Sequence, residues 1–570
     1  MPPTKGAQVD PSAPATPRSR TNVTDAAAPA AGDATASRLR VAMLVAAGLA
    51  TFALLGYLVN GNIRYEVGVV RVSGYSAAET FTHRPIVFRL FSAAQSWLPE
   101  LVSSAAGGPG SWQRVWVFEA GFRLTAAVLA AAAASLLWRG LRRRWPSMAW
   151  AYALAAYAAL MFTAPATGEP DWMAALLAVA AVGAGLMVRA GSGGTVAGVL
   201  LALAALVKIS TLPVAAAGLL ILWAIDRRRG WLAMVAAMLT GLLAVALTWW
   251  LAPFEVSWLL DIRALQPDPW TWGNATEAGH YLMNLAARWP TLALLPAFFI
   301  GARRAEIWTA LAAVALTGLG IAYQGQYFTY HALGLVVLSA ALAVRTIERS
   351  RAVLRWPLSA LVVWTLVLFV LPAPWRVGHW AGLYLITGGW VLLLAAWQLA
   401  AMRQPSVRSE GAVPLWAALL VMVSLLATQT PVSAESLALG TAGRTSVGQA
   451  AALRTELADA EKIHRLIGAD TQVAYLAFGD AGYLLGNPTR CRYPSPLFLQ
   501  RGQADEKVSA ANRAESLACL TEPGARWLIW DRGWLHRKGA SDDLLATIDH
   551  NWACERAIVI GGYTLCPRRS

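Results

Sequence analysis

Apolar runs of about twenty residues recur along the chain from residue 41 to about 428, and this feature constrains the fold more than any other. A helix that rises about 1.5 Å per residue needs roughly 20 apolar residues to cross about 30 Å of hydrocarbon. The composition agrees, because 57% of the 570 residues are hydrophobic and only 14% are charged. Average soluble domains have about 25% charged residues. The predicted fold class is therefore an α-helical polytopic membrane protein, and an ordinary soluble enzyme is excluded.

The apolar runs predict about thirteen membrane spans. They cover residues 41–60, 115–138, 147–164, 172–188, 195–207, 211–225, 232–252, 289–302, 307–323, 331–344, 357–371, 380–400 and 414–428. Several runs are short for a straight crossing, so the number of spans is approximate. An odd number of spans places the two ends of the chain on opposite sides of the membrane.

The basic residues predict the orientation, because short loops kept on the cytoplasmic side collect Lys and Arg. With the N-terminus inside, the cytoplasmic loops hold the arginines at positions 139, 142–144, 189, 227–229, 303, 304, 345, 349, 351, 355, 403 and 408. Topology thus explains most of the net charge of +15, and nucleic acid is not expected as a partner. We expect a multi-pass protein of the cell membrane with a cytoplasmic N-terminus and an exterior C-terminal domain.

Composition divides the chain into three predicted parts. Residues 1–40 are rich in Ala, Pro, Ser and Thr, which predicts a disordered cytoplasmic tail. Residues 41–428 form the predicted transmembrane domain, with long exterior loops at 61–114 and 253–288. Residues 429–570 form a predicted soluble α/β domain. The patterns there predict helices over 446–467 and 542–548, strands over 473–478 and 527–530, and a hairpin over 557–565.

All four cysteines lie in this C-terminal part, at Cys491, Cys519, Cys554 and Cys566. An even number confined to a predicted exterior domain favours disulfides. Of the three connectivities, we favour 491 with 519 and 554 with 566. A zinc site is the alternative, although no Cys-x-x-Cys spacing supports it.

Unusual polar residues gather in the first predicted exterior loop. It contains Glu66, Glu79 and the run His83-Arg84-Pro85. Residues 90–101 are amphipathic, which predicts a helix lying in the membrane interface.

The next exterior turn, residues 167–172, has the sequence Thr-Gly-Glu-Pro-Asp-Trp and opens the fourth predicted span. It carries two carboxylates, Glu169 and Asp171. The dipole of a helix favours ionised carboxylates at its N-terminus.

This order of features resembles the GT-C superfamily of integral-membrane glycosyltransferases, which use polyprenyl-phosphate sugars. Relatives include the aminoarabinose, mannosyl and arabinofuranosyl transferases of bacterial envelopes. The resemblance implies a GT-C-like transmembrane domain that moves a sugar from a polyprenyl-phosphate donor to an envelope glycan or lipid acceptor on the outer face of the membrane. Donor, acceptor and lipid bilayer are the implied partners. The resemblance makes no cofactor certain, and a divalent cation stays open.

The resemblance also implies catalytic residues. The acidic residue of the family's first loop, usually Asp and the catalytic base, falls on Glu66, with Glu79 as the second choice. The acidic residue of the second loop matches Asp171, with Glu169 beside it.

Substrate-binding residues follow in the same way. The family's charged-Pro-apolar element matches His83 and Arg84. Lys208 lies at an exterior turn where related proteins often carry a lysine facing the phosphate of the lipid carrier. The stretch 324–331, Gln-Gly-Gln-Tyr-Phe-Thr-Tyr-His, looks like the family's polar turn before a late span and makes Tyr327 and His331 candidates.

The chemistry explains why these residue types belong together. Transfer of a sugar to a hydroxyl requires a carboxylate to accept the proton and cations to stabilise the departing phosphate. One alternative function is a transporter or flippase of a lipid-linked intermediate, which would place ionisable groups at the middle of the membrane. Another is an envelope assembly protein without catalytic activity.

Five of the candidate residues also have a simpler structural interpretation. Glu66 and Glu79 would then be solvated loop residues, and Asp171 would only cap its helix. Arg84 would contact lipid headgroups, and Lys208 would anchor the membrane interface.

Overall fold

The structure is a computed structural model that describes residues 61–162, 167–265, 302–324, 327–349, 446–494 and 508–569, with isolated positions between 281 and 396. The predicted tail at 1–40 and the predicted span at 41–60 lie outside these residues. So do the span at 414–428 and nearly all of the spans at 289–302, 357–371 and 380–400.

Helices dominate the described part of the chain up to residue 349. They are α1 (Gly61–Ser73), α2 (Ile86–Ala106), α3 (Trp112–Leu141), α4 (Ala149–Phe162), α5 (Pro170–Met187), α6 (Ala190–Leu206), α7 (Leu212–Ile225), α8 (Arg227–Leu251), α9 (Pro253–Ala264), α10 (Arg304–Tyr323) and α11 (Leu333–Arg349). Two short 3₁₀ turns, Ile209–Thr211 and Thr329–Ala332, precede α7 and α11.

Eight of the thirteen predicted spans coincide with described helices, α3 to α8, α10 and α11. Among the described residues, four helices are long and apolar enough to cross a membrane, namely α3, α5, α8 and α10. Their surroundings differ, because 89% of the apolar window of α5 is buried but only 11% of that of α8. Helix α5 thus forms the centre of the bundle, and α8 presents an apolar surface suited to lipid.

The predicted exterior loops are more helical than expected. Residues 61–114 are mostly α1 and α2, and residues 253–264 of the second loop form α9. The rest of the second loop lies almost entirely outside the described residues. Helix α2 contains the stretch expected to be amphipathic, and it exposes Leu90, Trp97 and Leu101. Its polar Arg89, Ser92, Gln95 and Ser96 are buried instead, as suits a helix with its apolar side against lipid.

The C-terminal α/β region, defined here as residues 446–494 and 508–569, contains a four-stranded sheet. Its elements are α12 (Ser446–Ile467), β1 (Val473–Leu476), α13 (Ala481–Leu485), α14 (Ala510–Leu520), β2 (Trp527–Asp531), α15 (Asp542–Asn551), β3 (Ile558–Ile560) and β4 (Tyr563–Pro567). The strand order is β1-β2-β4-β3, with β1 parallel to β2 and the other pairs antiparallel. The helices, strands and hairpin predicted from the sequence are found within one to three residues of their expected bounds. Helices cover the sheet, and α15 packs Leu544 and Ile548 into its core.

Two disulfides join Cys491 to Cys519 and Cys554 to Cys566. This is the pairing that the sequence analysis favours. The second bridge closes the segment that contains the β3–β4 hairpin.

The first loop packs directly against the C-terminal α/β region. The amide of Thr489 donates to the carbonyl of Val72 in α1 at 2.7 Å, and the amide of Phe81 donates to the carbonyl of Arg492 at 2.8 Å. At Gly68 of α1 an added Cβ would lie 2.3 Å from the backbone nitrogen of Tyr483, so only glycine permits this approach of α1 to α13. These contacts fix the position of the first loop.

Candidate active site

A cavity of about 450 Å³ lies where the helical bundle, the first loop and the C-terminal α/β region meet. Its polar lining comes from five places that the sequence analysis singled out, one of which is the turn before α11 that carries His331. The other four are α1, the turn after it, the turn before α5 and the turn after α6, with the lining residues Glu66, His83, Arg84, Glu169 and Lys208. Candidates from distant parts of the sequence therefore surround one space.

Arg84 joins two carboxylates at this cavity. Its Nε lies 3.6 Å from Oε1 of Glu66, and its Nη2 lies 3.7 Å from Oε2 of Glu169. Gly168 has a φ of +89°, a backbone conformation that suits glycine, and this turn delivers Glu169 to the cavity. The like charges of the two glutamates thus share one guanidinium.

Lys208 forms a second group with Asp171 and the polar stretch before α11. Its Nζ lies 3.7 Å from Oδ2 of Asp171 and 3.3 Å from Nε2 of His331, and it donates to Oε1 of Gln324. Asp171 is in the first turn of α5 and is buried behind the cavity wall. Lys208 therefore presents a cationic group to the cavity while Asp171 balances its charge.

His83 is the one residue other than glycine with a positive φ in the described part of the chain, at +57°. Such a conformation is uncommon, although His tolerates it better than most residues do. It brings Nδ1 of His83 to 3.0 Å from the hydroxyl of Tyr65, the neighbour of Glu66. The turn that carries His83 and Arg84 is thus tied to α1 at Tyr65 and at Glu66.

Burial and charge tune the ionisable groups that lie outside the membrane-spanning helices. Burial raises the pKa of the Glu66 carboxyl to about 7, although the charge of Arg84 partly opposes this shift. Burial lowers the pKa of the Lys208 ammonium to about 8 against the opposing effect of Asp171. Burial also disfavours the charged form of Arg84, but Glu169 and Glu66 outweigh it and raise its pKa. Near neutral pH Glu66 can therefore take up a proton while both cations stay charged.

Three buried or half-buried ion pairs that the sequence analysis did not predict support this arrangement. Nη2 of Arg89 in α2 lies 2.8 Å from Oε2 of Glu255 in α9, and the amide of Ile86 donates to Oε1 of Glu255 at 2.6 Å. Arg64 bridges Glu119 of α3 and Asp480 of the C-terminal α/β region. Glu255 directly follows Pro253 and Phe254 at the start of α9, and a carboxylate at a helix start is only a weak indication of a buried ion pair. No local sequence pattern indicates such a pair for Asp480.

Two predicted site residues lie away from the cavity. Glu79 is exposed and accepts hydrogen bonds from the amide and hydroxyl of Ser76. Tyr327 packs its ring against Tyr281, with centroids 5.4 Å apart, and does not line the cavity. Of the two first-loop carboxylates, the structure brings only Glu66 to the cavity.

A second cavity of about 470 Å³ lies between α1 and α2 and is also lined by Glu66. Its lining includes Arg71, Trp97 and Glu100, and Glu100 pairs with Arg71 and Arg114. Glu66 thus borders two spaces, and a group in either one can approach its carboxyl.

The described residues include no group of three or more His, Cys, Asp or Glu side chains that could hold a metal ion. Glu66, Glu169 and Asp171 each face a cationic side chain instead. The donor set that the described residues place around the cavity therefore does not fit a divalent cation.

Apolar helices, a helical first loop and a polar cavity together characterise the fold of the described residues. Solved structures of ArnT from Cupriavidus metallidurans share it. The apo structure has a TM-score of 0.51 and 14% identity, covering 94% of this chain and 98% of that one. The structure bound to undecaprenyl phosphate has a TM-score of 0.53 and 13% identity, covering 93% and 98%. ArnT is a GT-C glycosyltransferase, so the resemblance in fold predicted from the sequence is confirmed. No protein-family profile and no curated protein matches the chain.

Proposed function

We propose that the protein is a membrane glycosyltransferase that moves a sugar from a polyprenyl-phosphate donor to a hydroxyl of an envelope glycan or lipid. The observation that carries the proposal is the common cavity of Glu66, Arg84 and Lys208, in a chain whose fold is that of ArnT. The solved ArnT complex contains undecaprenyl phosphate, a polyprenyl phosphate, which supports the donor class.

The proposed mechanism assigns the proton to Glu66. The carboxylate accepts the proton of the acceptor hydroxyl as the hydroxyl oxygen attacks the anomeric carbon of the donor. The bond between that carbon and the phosphate oxygen breaks, and the polyprenyl phosphate leaves with the electron pair. A base with a pKa of about 7 is well matched to proton transfer at neutral pH.

Lys208, Arg84 and His331 are proposed to hold the phosphate. Negative charge grows on the leaving oxygen in the transition state, and fixed cations in a site with little water stabilise it. Asp171 and Glu169 orient these cations through their ion pairs. The hydrogen bond between His83 and Tyr65 holds the turn that carries Arg84 beside Glu66.

The proposal places the cavity at the outer face of the membrane, with a cytoplasmic N-terminus and the C-terminal α/β region outside. The arginine distribution and the disulfides support this orientation, because disulfides persist in oxidising compartments.

The test is incubation of the purified protein with a panel of labelled polyprenyl-phosphate sugars, with release of the lipid phosphate as the readout. We expect one donor to be turned over, and Glu66→Gln to lower its rate by about 10² to 10⁴. Glu79→Gln is the matched control and should retain activity, since Glu79 lies outside the cavity. Movement of donors across proteoliposomes without release of lipid phosphate would contradict the proposal and favour a flippase.

A further inference from the structure

Three aromatic side chains form a row along one wall of the cavity. The ring centroids of Tyr65 and Phe478 are 4.7 Å apart. Phe478 stacks on Trp534 with centroids 4.3 Å apart and the planes inclined by 12°. All three residues line the cavity. The row thus runs from the neighbour of Glu66 to the C-terminal α/β region.

A hydrogen-bonded turn holds Trp534 in place although its side chain stays 44% exposed. The amides of Gly533 and Trp534 donate to Oδ1 of Asp531 at the end of β2, at 2.9 and 3.2 Å. The indole of the buried Trp530 donates to the carbonyl of Leu535 at 3.1 Å, and Leu535 is itself buried. An indole that is both fixed and exposed at a cavity provides a preorganised surface for a ligand.

The two walls of the cavity differ in charge. The bundle and the first loop supply Glu66, Arg84, Glu169 and Lys208. Among the described residues, the C-terminal α/β region supplies Phe478, Gly479 and Trp534, none of which is charged. The charged wall suits a phosphate, and the aromatic wall suits an uncharged ring with a face of C–H groups, because such hydrogens are attracted to the π face of an indole.

We propose that the face of Trp534 that Phe478 does not cover forms a platform on which a sugar ring of the acceptor stacks, with Phe478 supporting the indole from behind. This inference rests on the proposed function and narrows its acceptor to a glycan or to a lipid with a sugar headgroup. The donor is held by its phosphate at Lys208 on the bundle, so its sugar lies on that side. A ring that stacks on Trp534 approaches from the opposite, C-terminal wall and offers its hydroxyl toward Glu66.

The first test measures binding and needs no donor. The full-length protein is reconstituted in nanodiscs, so that no glycoside detergent competes, and is mixed with methyl glycosides of glucose, galactose, mannose and rhamnose. Saturation-transfer NMR should show the strongest transfer to the C–H protons of one ring face for at least one of these glycosides. Trp534→Ala and Trp534→Leu should abolish it, and Trp534→Phe should retain it.

Trp231→Ala is the matched control, because it removes an indole that is 55% exposed and lines neither cavity. It should leave the transfer unchanged, and thermal melts of all variants should agree within a few degrees. Absence of transfer from every glycoside, or equal transfer in Trp534→Ala and the unmodified protein, overturns the platform.

The second test separates the acceptor from the donor during turnover. With the bound methyl glycoside as acceptor, Trp534→Leu should raise the acceptor KM about two- to tenfold relative to the donor KM, the scale of one aromatic contact. A rise confined to the donor KM would overturn the assignment to the acceptor. If the unmodified protein turns over no donor but still binds glycosides through Trp534, the platform stands and the proposed function fails.

Discussion

Opposing effects act on the carboxyl of Glu66, where burial favours the neutral acid and the guanidinium of Arg84 favours the anion. Burial dominates and raises the pKa to about 7. Only the deprotonated form can accept a proton from the acceptor. A group of this kind in a cavity is typical of a general base, whereas the exposed Glu79 has a pKa lowered by its hydrogen bonds to Ser76.

We therefore predict an acid limb in the pH dependence of kcat/KM. Activity should rise as the pH increases through about 7, because Glu66 loses its proton there. In Glu66→Gln this limb should disappear together with most of the rate. The measurement is the donor kcat/KM at about ten pH values between pH 5 and pH 9, and circular dichroism at each pH value is the folding control. An unchanged acid limb in Glu66→Gln would assign the proton transfer to another group.

Lys208 should produce an alkaline limb in the pH dependence of donor binding. Its ammonium is charged below a pKa of about 8 and neutral above it, so donor binding should weaken as the pH rises through that value. Lys208→Ala should raise the apparent donor KM about tenfold or more, since a charge-assisted contact is lost. Lys208→Arg keeps the charge at all these pH values and should remove the alkaline limb. Unchanged donor affinity in Lys208→Ala would exclude a role in phosphate binding.

At the scale of elements, the site depends on where α1 and α2 are held. Helix α1 carries Glu66 and lies against α13 at Gly68, and α2 is fixed to α9 by the buried pair of Arg89 and Glu255. A buried pair is costly to break, because removal of one partner leaves an unpaired charge in the interior. These contacts therefore hold the first loop in place beside the cavity.

Gly68→Ala tests this packing. Alanine favours a helix over glycine, but its Cβ would lie 2.3 Å from the backbone of Tyr483, so α1 and α13 must separate. We expect a loss of about 1 to 3 kcal/mol of stability and a lower kcat, measured by thermal melts and turnover. Gly108→Ala is the matched control, because no atom lies within 4 Å of the added Cβ there. Equal effects of the two substitutions would show that the close approach is unimportant.

At the scale of the whole molecule, the C-terminal α/β region completes the cavity through Phe478, Gly479 and Trp534. Its contacts with the first loop include the segment 487–494, where Thr489 bonds to α1. The bridge between Cys491 and Cys519 ties that segment to α14. The disulfide between Cys491 and Cys519 therefore also helps to hold the C-terminal wall of the cavity in place.

Peptide mapping without reduction should find the pairs 491–519 and 554–566. The paired cysteines are 28 and 12 residues apart in the sequence. The entropy of the closed loops therefore predicts that replacing a pair by serines lowers the free energy of unfolding by about 3.6 kcal/mol for 491–519 and about 2.8 kcal/mol for 554–566. Only the 491–519 replacement should also lower turnover, because that bridge lies beside α1. Four free thiols, or equal turnover in both variants, would contradict this account.

The sequence by itself determined the features that depend on local pattern. Long apolar runs must become helices in a membrane, and the periodicity of the C-terminal part predicts its helices and strands because each segment buries one face. Glu66, Arg84, Glu169 and Lys208 became candidates because their places along the chain resemble the motifs of the GT-C superfamily.

Only the tertiary structure decided which candidates meet. It separated Glu66 from Glu79, which both lie in the first predicted exterior loop, and it placed Tyr327 outside the cavity. The pair of Arg89 with Glu255 joins residues 166 positions apart, and that of Arg64 with Asp480 joins residues 416 positions apart. Such contacts arise from the packing of several elements at once, so no local periodicity records them. For the same reason the aromatic wall of Phe478 and Trp534 became visible only when the chain was folded.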